Sequence, residues 1–337
     1  MPRDADKLEH ILMRAWSRRG PLACALWPAS LAFCALAGLR RRAAQPQRLP
    51  VPVIVVGNIF VGGTGKTPFT IWLAGKLRDA GLHPGVISRG YGAAAEGVRE
   101  VHPGSSPAEA GDEPVLIAQR AACPVMVGRR RVEAGRALLA AHPEVDVIVS
   151  DDGLQHYALA RDVEIVICDA RGNGNGLVLP AGPLREPPGR RRDFTVYNAE
   201  SPPPGIPEPA YRMRLEGDRA ERLSDPSQSL PLASLRAREH IVAAAGIGNP
   251  ARFFGMLRGH GIAFRELPLP DHFDFGNDPF AGVQAEIILL TEKDAVKCRR
   301  IDTLRNDPRL WVVPVSARID DALAERILEK CRGRPTA

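Results

Sequence analysis

No Cys-x-x-Cys pair occurs in the sequence. Its six cysteines (Cys24, Cys34, Cys123, Cys168, Cys298 and Cys331) are scattered, several of them inside apolar runs. That spacing argues against a zinc ribbon or a disulfide framework, and for reduced, mostly buried thiols in a cytoplasmic compartment. Also missing is the guanine-reading pattern Asn/Thr-Lys-x-Asp. The nearest stretch, TEKD at 291–294, has the wrong spacing, which speaks against a GTPase. A third absence is local: residues 21–39 (PLACALWPASLAFCALAGL) carry no charge.

What is present fits a soluble globular chain with a basic bias. Hydrophobic residues make up 45% and charged residues 25%, which excludes a wholly disordered chain. At 337 residues there is room for two domains, at roughly 100–200 residues each. The net charge of +6, with arginines clustered near the N-terminus, suits acidic lipid headgroups or phosphorylated substrates at least as well as nucleic acid.

The N-terminal region reads as a membrane element. Leu8, Ile11, Leu12, Ala15 and Trp16 recur at helical spacing while Arg14, Arg18 and Arg19 take other positions, the pattern of a basic amphipathic helix. The uncharged run that follows is flanked by Arg18-Arg19 and Arg40-Arg41-Arg42. Its length, about 19 residues, is near the lower limit for crossing a bilayer. A cleaved signal peptide fits poorly, because RRRAAQPQ is an unusual mature start. A true span is disfavoured by Pro28 and by arginine at both ends. The expectation is a helical element embedded in the cytoplasmic leaflet, against the alternative of an apolar helix packed in the core.

Residues 51–56 (VPVIVV) suit a buried parallel strand and lead into GNIFVGGTGKTP. After Thr67, PFTIWLAGKLRDAG has helical apolar spacing, with Pro68 in the first turn where proline is tolerated. Strand, glycine loop and helix N-terminus form the setting in which backbone N–H groups surround phosphate oxygens. The pattern G-x-x-x-x-G-K-[ST] is incomplete, since Phe60 stands where its first glycine belongs. Gly62, Gly63 and Gly65 still permit a tight turn; Lys66 would supply charge to the β/γ-phosphates and the Thr67 hydroxyl would reach Mg²⁺.

Carboxylates for such a site are at hand. VDVIVSDDGLQHY is a strand that delivers Asp151 and Asp152 to its carboxyl end, where ligands bind in open α/β sheets. VEIVICD ends at Asp169, either structural or part of the site. GDEP places Asp112 and Glu113 at a helix start, as a cap or as functional groups. Arg89 in SRGYG faces a phosphate or forms a surface salt bridge. Residues 185–209, dense in proline and arginine, read as a surface excursion without internal strand or helix. A second α/β pattern follows: HIVAAAGIGNP as strand and turn, ARFFGMLRGHG as helix, AEIILLTEKDAVK as strand and loop, LWVVPVSAR as strand, and DALAERILEKC as closing helix. In LPLPDHFDF, His272 sits in a loop after Pro270, placed to approach the site across a domain cleft and to transfer a proton near neutral pH. The fold class is therefore α/β: a P-loop NTPase-like parallel sheet with helices on both faces and a smaller C-terminal α/β domain. The expected blocks are an N-terminal helical element at 1–45, a core at 46–229 and the smaller domain at 230–330.

GNIFVGGTGKTP, SRGYG, GDEP, SDDGLQH, NGLVLPAGPLREP, GIGNP, LPDHFDF and LLTEKDAVK, in this order behind a basic apolar N-terminus, closely resemble the tetraacyldisaccharide 4'-kinase family. The family pattern also has Phe60 and Val61 where other loops have glycine and lysine. The resemblance implies an ATP-dependent kinase of lipid A biosynthesis. It would act on the 4'-hydroxyl of tetraacyldisaccharide 1-phosphate at the cytoplasmic face of the inner membrane of a Gram-negative bacterium, with the bilayer surface and that lipid as partners and no nucleic acid. It implies that Phe60, Val61, Gly62, Gly63, Thr64, Gly65, Lys66 and Thr67 hold the ATP phosphates. Asp112 would draw the hydroxyl proton while His272 orients it. Thr67, Glu113 and Asp151 or Asp152 would hold Mg²⁺, and Gln155 and His156 the sugar or its 1-phosphate. A membrane-associated regulatory ATPase is the main rival, weakened by the missing loop lysine at Val61. A nucleotide-sensing membrane scaffold would tolerate changes at Asp112 and His272.

Overall fold

The structure, a computed structural model, describes residues 16–90 and 97–333. The amphipathic helix expected at residues 8–16 thus falls, apart from Trp16, outside the described residues, as do Tyr91 and Gly92 of SRGYG. Two compact units divide the chain: Met1–Lys66 with Asp146–Arg214 and Ile319–Ala337, and Thr67–Val145 with Leu215–Arg318.

In the first unit, Val53–Gly57 lies between Val147–Asp151 and Val163–Asp169, all parallel. Phe194–Asn198 continues the sheet parallel to Val163–Asp169. The first two strands are buried along their whole length and Val163–Asp169 nearly so, as parallel strands covered on both faces must be, and this is why they read as unbroken β-branched runs. The helix Asp321–Arg332 packs on Val163–Asp169 through Leu323, Ala324, Ile327 and Cys331, with the Asp320 carboxylate accepting from Ala322 N–H as its cap.

Phe194–Asn198 corrects the expectation of a surface excursion at 185–209. The prolines cluster on either side of FTVYN, and this short β-prone run is free to enter the sheet. Arg190 is also buried, donating to Glu186 at 2.6 Å and to Glu164 at 2.8 and 3.0 Å. Replacing Arg190 with methionine would leave Glu186 buried without its cation and Glu164 with Arg161 alone, so Arg190→Met is expected to lower stability by about 3–5 kcal/mol in urea unfolding.

The second unit holds two groups of strands. Pro84–Ser88 pairs in parallel with Val125–Val127, which pairs antiparallel with Arg99–Val101. A six-stranded sheet follows the order Ser229–Pro231, Arg219–Arg222, Leu310–Val313, Ile287–Thr291, Ile241–Ala245, Arg265–Pro268. Side-chain alternation splits its core in two: Ile241, Ala243 and Ala245 face Phe253, Phe254 and Leu257 of the helix Pro250–Gly259, while Val242 and Ala244 face Phe275, Phe280 and Cys298. The segment after LLT, expected as a loop, is instead the helix Glu292–Cys298, capped by Thr291 Oγ1 accepting from Asp294 N–H. LWVVPVSAR, expected as one strand, is broken into Leu310–Val313 and Ser316–Ile319 around Pro314.

All six cysteines are free. Cys168, Cys298 and Cys331 are buried, and burial pushes the Cys168 thiol up to about 12 and that of Cys331 up to about 11.

The uncharged run forms the helix Pro21–Ala43, of which only Ala23 and Ser30 are buried. Trp27, Leu31, Leu36 and Leu39 are exposed, so it is not a core helix. It is held by polar bonds to one loop. Ser30 Oγ donates to Val178 O (2.8 Å) and accepts from Ala181 N–H (2.9 Å), and Trp16 Nε1 donates to Pro180 O (2.9 Å). The NGLVLPAGPLREP segment thus carries the apolar helix.

Candidate active site

The same loop shapes the glycine-rich turn. Phe60 forms an antiparallel bridge with Leu184, Val61 N–H donates to Pro183 O at 2.9 Å, and Arg185 N–H to Ile59 O at 2.6 Å. With Phe60 in extended pairing, no glycine is needed there. Left-handed backbone occurs only further on, at Gly62 (φ 97°) and Gly65 (φ 101°). The loop carbonyls are engaged by side chains. Asn58 Nδ2 donates to Phe60 O (2.6 Å) and Gly62 O (2.9 Å), and Arg171 Nη2 to Gly63 O (3.1 Å). Asp169 holds Arg171 through both carboxylate oxygens, and the guanidinium stacks over the Phe60 ring at 4.3 Å. Asp169 therefore has a structural part, and Asn58 and Arg171 are site residues that motif reading missed.

Lys66 opens the helix Lys66–Asp79, whose first turn has no acidic residue, as an anion-binding N-terminus requires. Its Nζ donates to Asn58 Oδ1 at 3.1 Å and lies 3.7 Å from Asp152 Oδ1. Thr64 Oγ1 is buried without a partner among the described residues, which suits a hydroxyl that gains one from a bound phosphate. Asp151 is fully buried at the end of its strand, in register with Val56. Asp152 takes a left-handed backbone (φ 48°) and pairs with Arg185 at 3.3 Å. Such strain in a non-glycine residue costs on the order of 1 kcal/mol and collects at functional sites. Gln155 Nε2 donates to Glu186 Oε1 at 2.7 Å, and the His156 carbonyl accepts from Arg161. Among the described residues no cluster of three or more His, Cys, Asp or Glu forms a metal cage. Magnesium needs no such cage, since it is held by one or two carboxylates plus phosphate oxygens and water.

The second unit assembles a carboxylate–imidazole pair. Gly111, in a conformation open to glycine alone (φ 89°, ψ 150°), precedes the helix Asp112–Arg120 and stands at its cap position; Asp112 Oδ1 accepts from Glu113 N–H at 2.9 Å, and Oδ2 is left for other work. His272 Nδ1 lies 3.1 Å from Asp112 Oδ2, donating to it with the proton on that nitrogen. His272 is also left-handed (φ 59°), its N–H donating to Gly246 O at 3.3 Å. Gly246 N–H in turn donates to the buried Asp294 at 3.0 Å, so GIGNP, LPDHFDF and TEKD form one scaffold.

Lys293 and Lys297, one turn apart on Glu292–Cys298, complete the cluster. Lys297 Nζ is 3.2 Å from Asp112 Oδ2; Lys293 Nζ is 3.2 Å from Glu113 and 3.7 Å from Asp271. Burial pushes the Asp112 carboxyl up, but the His272 hydrogen bond and the two lysine charges outweigh it and hold the carboxyl well below the usual carboxylate range. Burial disfavours charged Lys293, yet Glu113, Asp112 and Asp271 keep it above the usual lysine value. Arg89 stands exposed just beyond Pro84–Ser88.

A depressed carboxyl stabilises the fold above its unfolded pKa, and that stability is lost as pH falls through the folded value. Lys297→Met removes part of the depression. It is expected to move the acid limb of the kcat/KM profile to higher pH and to reduce the stability contributed by Asp112 ionisation, read from pH-dependent unfolding.

A glycine loop after a parallel strand, with its lysine at a helix N-terminus and two carboxylates at the next strand end, places the chain among the P-loop nucleotide-binding proteins. Residues 22–332 match the family model described as tetraacyldisaccharide-1-P 4'-kinase. Relatives named tetraacyldisaccharide 4'-kinase are 60% identical in Janthinobacterium sp. (strain Marseille), over 98% of this chain and 99% of the relative, and 58% identical in Herminiimonas arsenicoxydans, over 98% of each. A crystal structure of LpxK from Aquifex aeolicus, described as an "apo" form in complex with ATP, is 30% identical with a TM-score of 0.75, covering 92% of this chain and 99% of that one. The chain belongs to the tetraacyldisaccharide 4'-kinase family.

Proposed function

We propose that this chain transfers the γ-phosphoryl group of ATP to the 4'-hydroxyl of tetraacyldisaccharide 1-phosphate, the step that gives lipid IVA. The observation that carries the reading is the Asp112–His272 pair at 3.1 Å, braced by Lys297 at 3.2 Å. Phosphoryl transfer through a loose transition state asks for positioning and charge neutralisation more than for a strong base. An Asp112 carboxylate kept ionised by His272 and the two lysines suits that demand: it accepts the hydroxyl proton late, while His272 fixes the direction of approach. Lys66 and the backbone from Phe60 to Thr67 hold the phosphates.

The Thr67 hydroxyl, Asp151 or Asp152, and Glu113 would hold Mg²⁺; all are hard oxygen donors and fit that ion. Bound there, the ion would neutralise charge on the β- and γ-phosphate oxygens. Gln155, His156 and Arg89 are assigned to the sugar and its 1-phosphate. As functional blocks we retain a membrane-facing element at 1–45, a core at 46–229 and a smaller α/β domain at 230–330.

The acceptor's acyl chains keep it in the bilayer, so we place the enzyme on the cytoplasmic face of the inner membrane, with the helix Pro21–Ala43 in the leaflet. Replacing Trp27, Leu31, Leu36 and Leu39 together with glutamine leaves the Ser30 contacts intact. The variant is expected to move from the membrane to the soluble fraction of a cell lysate; retention on membranes would mean that another surface anchors the protein.

The reaction is tested by incubating the protein with ATP, Mg²⁺ and tetraacyldisaccharide 1-phosphate in detergent and following the lipid by mass spectrometry. A gain of one phosphate is expected. An unchanged lipid mass across detergents would rule the reading out.

A further inference from the structure

The phosphate loop leaves the carboxyl end of Val53–Gly57, whereas a cavity of about 600 Å³ lies at the amino ends of Val163–Asp169 and Phe194–Asn198. The helix Pro21–Ala43 ends at its rim: Arg41 lies over the Tyr157 ring at 5.9 Å, and Gln47 N–H donates to Ala158 O at 2.8 Å. The lining carries Arg41, Arg48, Arg161, Arg190, Arg191 and Arg192 against Asp162, Glu164 and Asp193, six positive groups facing three negative ones. Lys330 bonds to Asp193 at 2.7 Å and offsets one of the three.

The carboxylates serve only part of the arginine set. Asp162 holds Arg48 at 2.7 Å, Glu164 holds Arg161 and Arg190, each at 2.8 Å, and Glu186 behind the lining holds Arg190 at 2.6 Å. Arg192 donates instead to the carbonyls of Arg190 and Pro188. Burial and the neighbouring Arg190 charge push its guanidinium below the usual arginine value. The cavity therefore favours an added anion. Sharing Arg41 with it, a shallow surface along the exposed helix face carries Cys34, Ala35, Gly38, Leu39 and Arg42. Arg41 lines both the cationic cavity and this mainly apolar surface.

We propose that this cavity and the surface beside it hold an anionic phospholipid of the bilayer, its headgroup phosphate among Arg41, Arg191 and Arg192 and an acyl chain along Ala35, Gly38 and Leu39. Charge complementarity selects the phosphate, and the adjoining apolar surface selects a lipid over free phosphate. The site lies at the opposite strand ends from the phosphate loop and belongs to no step of the kinase reaction. It depends on the helix reaching a bilayer and not on the substrate assigned above.

The test uses the full chain and vesicles of phosphatidylcholine with or without phosphatidylglycerol. Arg41→Gln combined with Arg191→Gln removes two exposed charges from the cavity. At about 1 kcal/mol per arginine, it is expected to weaken binding to the anionic vesicles about 30-fold. Binding to neutral vesicles and turnover of micellar substrate should be unchanged. Arg129→Gln with Arg265→Gln, the same loss of charge elsewhere, should leave anionic-vesicle binding intact, and inorganic phosphate should not release the wild-type protein. Unchanged anionic binding in the cavity variant, an equal loss in the control variant, or release by inorganic phosphate would each overturn the proposal. The last would mark a site for a free anion.

Discussion

Lys66→Ala is expected to reduce turnover by about 10³-fold, the upper end for loss of one preorganised electrostatic group. In this fold Lys66 is aimed by Asn58 at 3.1 Å and sits 3.7 Å from Asp152, so its ammonium is fixed before nucleotide arrives. A charge fixed in advance needs no reorganisation when negative charge shifts onto the transferring group, and it counts for more than a mobile surface lysine. Steady-state kinetics with saturating ATP separates this loss from weakened nucleotide binding. Loss in kcat together with kcat/KM marks a transition-state contact; a rise in KM alone would mark a ground-state one. Arg171→Ala offers a graded comparison, since it frees Gly63 O and the Phe60 ring while leaving the lysine in place.

Asp112→Asn is expected to lower kcat by about 10²–10⁴-fold, the usual contribution of a positioned proton acceptor. The amide preserves size and helix start but can no longer take a proton or hold the lysines. His272→Gln is expected to cost a smaller factor. The double variant should be little worse than Asp112→Asn alone, because residues acting as one unit lose their effect together. Multiplicative losses would mean that the two side chains act independently despite their 3.1 Å contact. Full turnover in both single variants would remove the pair from the reaction and favour a nucleotide-sensing role.

Much of the phosphate-binding half was legible because its signals are local. A β-branched run, a glycine turn and a helical repeat are read within a short window, and Asp151 and Asp152 follow from the same logic at the next strand end. The reason Phe60 replaces glycine was not local: its extended pairing with Leu184 lies far along the chain. Asp112 and His272 are 160 residues apart, so no spacing rule could join them, and only the ordered set of motifs suggested the pair. Lys293 and Lys297 were hidden by reading TEKDAVK as a loop. Their separation of four is helical, and a helix there would have placed both on one face. FTVYN was lost for the opposite reason, since the surrounding proline and arginine dominated its window. The exposed apolar face of Pro21–Ala43 was visible in composition, whereas its anchoring through Ser30 was not.

The claim that this chain phosphorylates the 4'-hydroxyl is tested most directly by tracing the phosphate. Wild-type protein is incubated with γ-³²P-labelled ATP, Mg²⁺ and tetraacyldisaccharide 1-phosphate, and the lipid product is isolated for label counting and phosphorus–proton correlation NMR. One labelled phosphate per lipid, correlated to the 4' proton with the 1-phosphate retained, is the expected result. Label released as free phosphate with the lipid unchanged, or esterified at another hydroxyl, would contradict it.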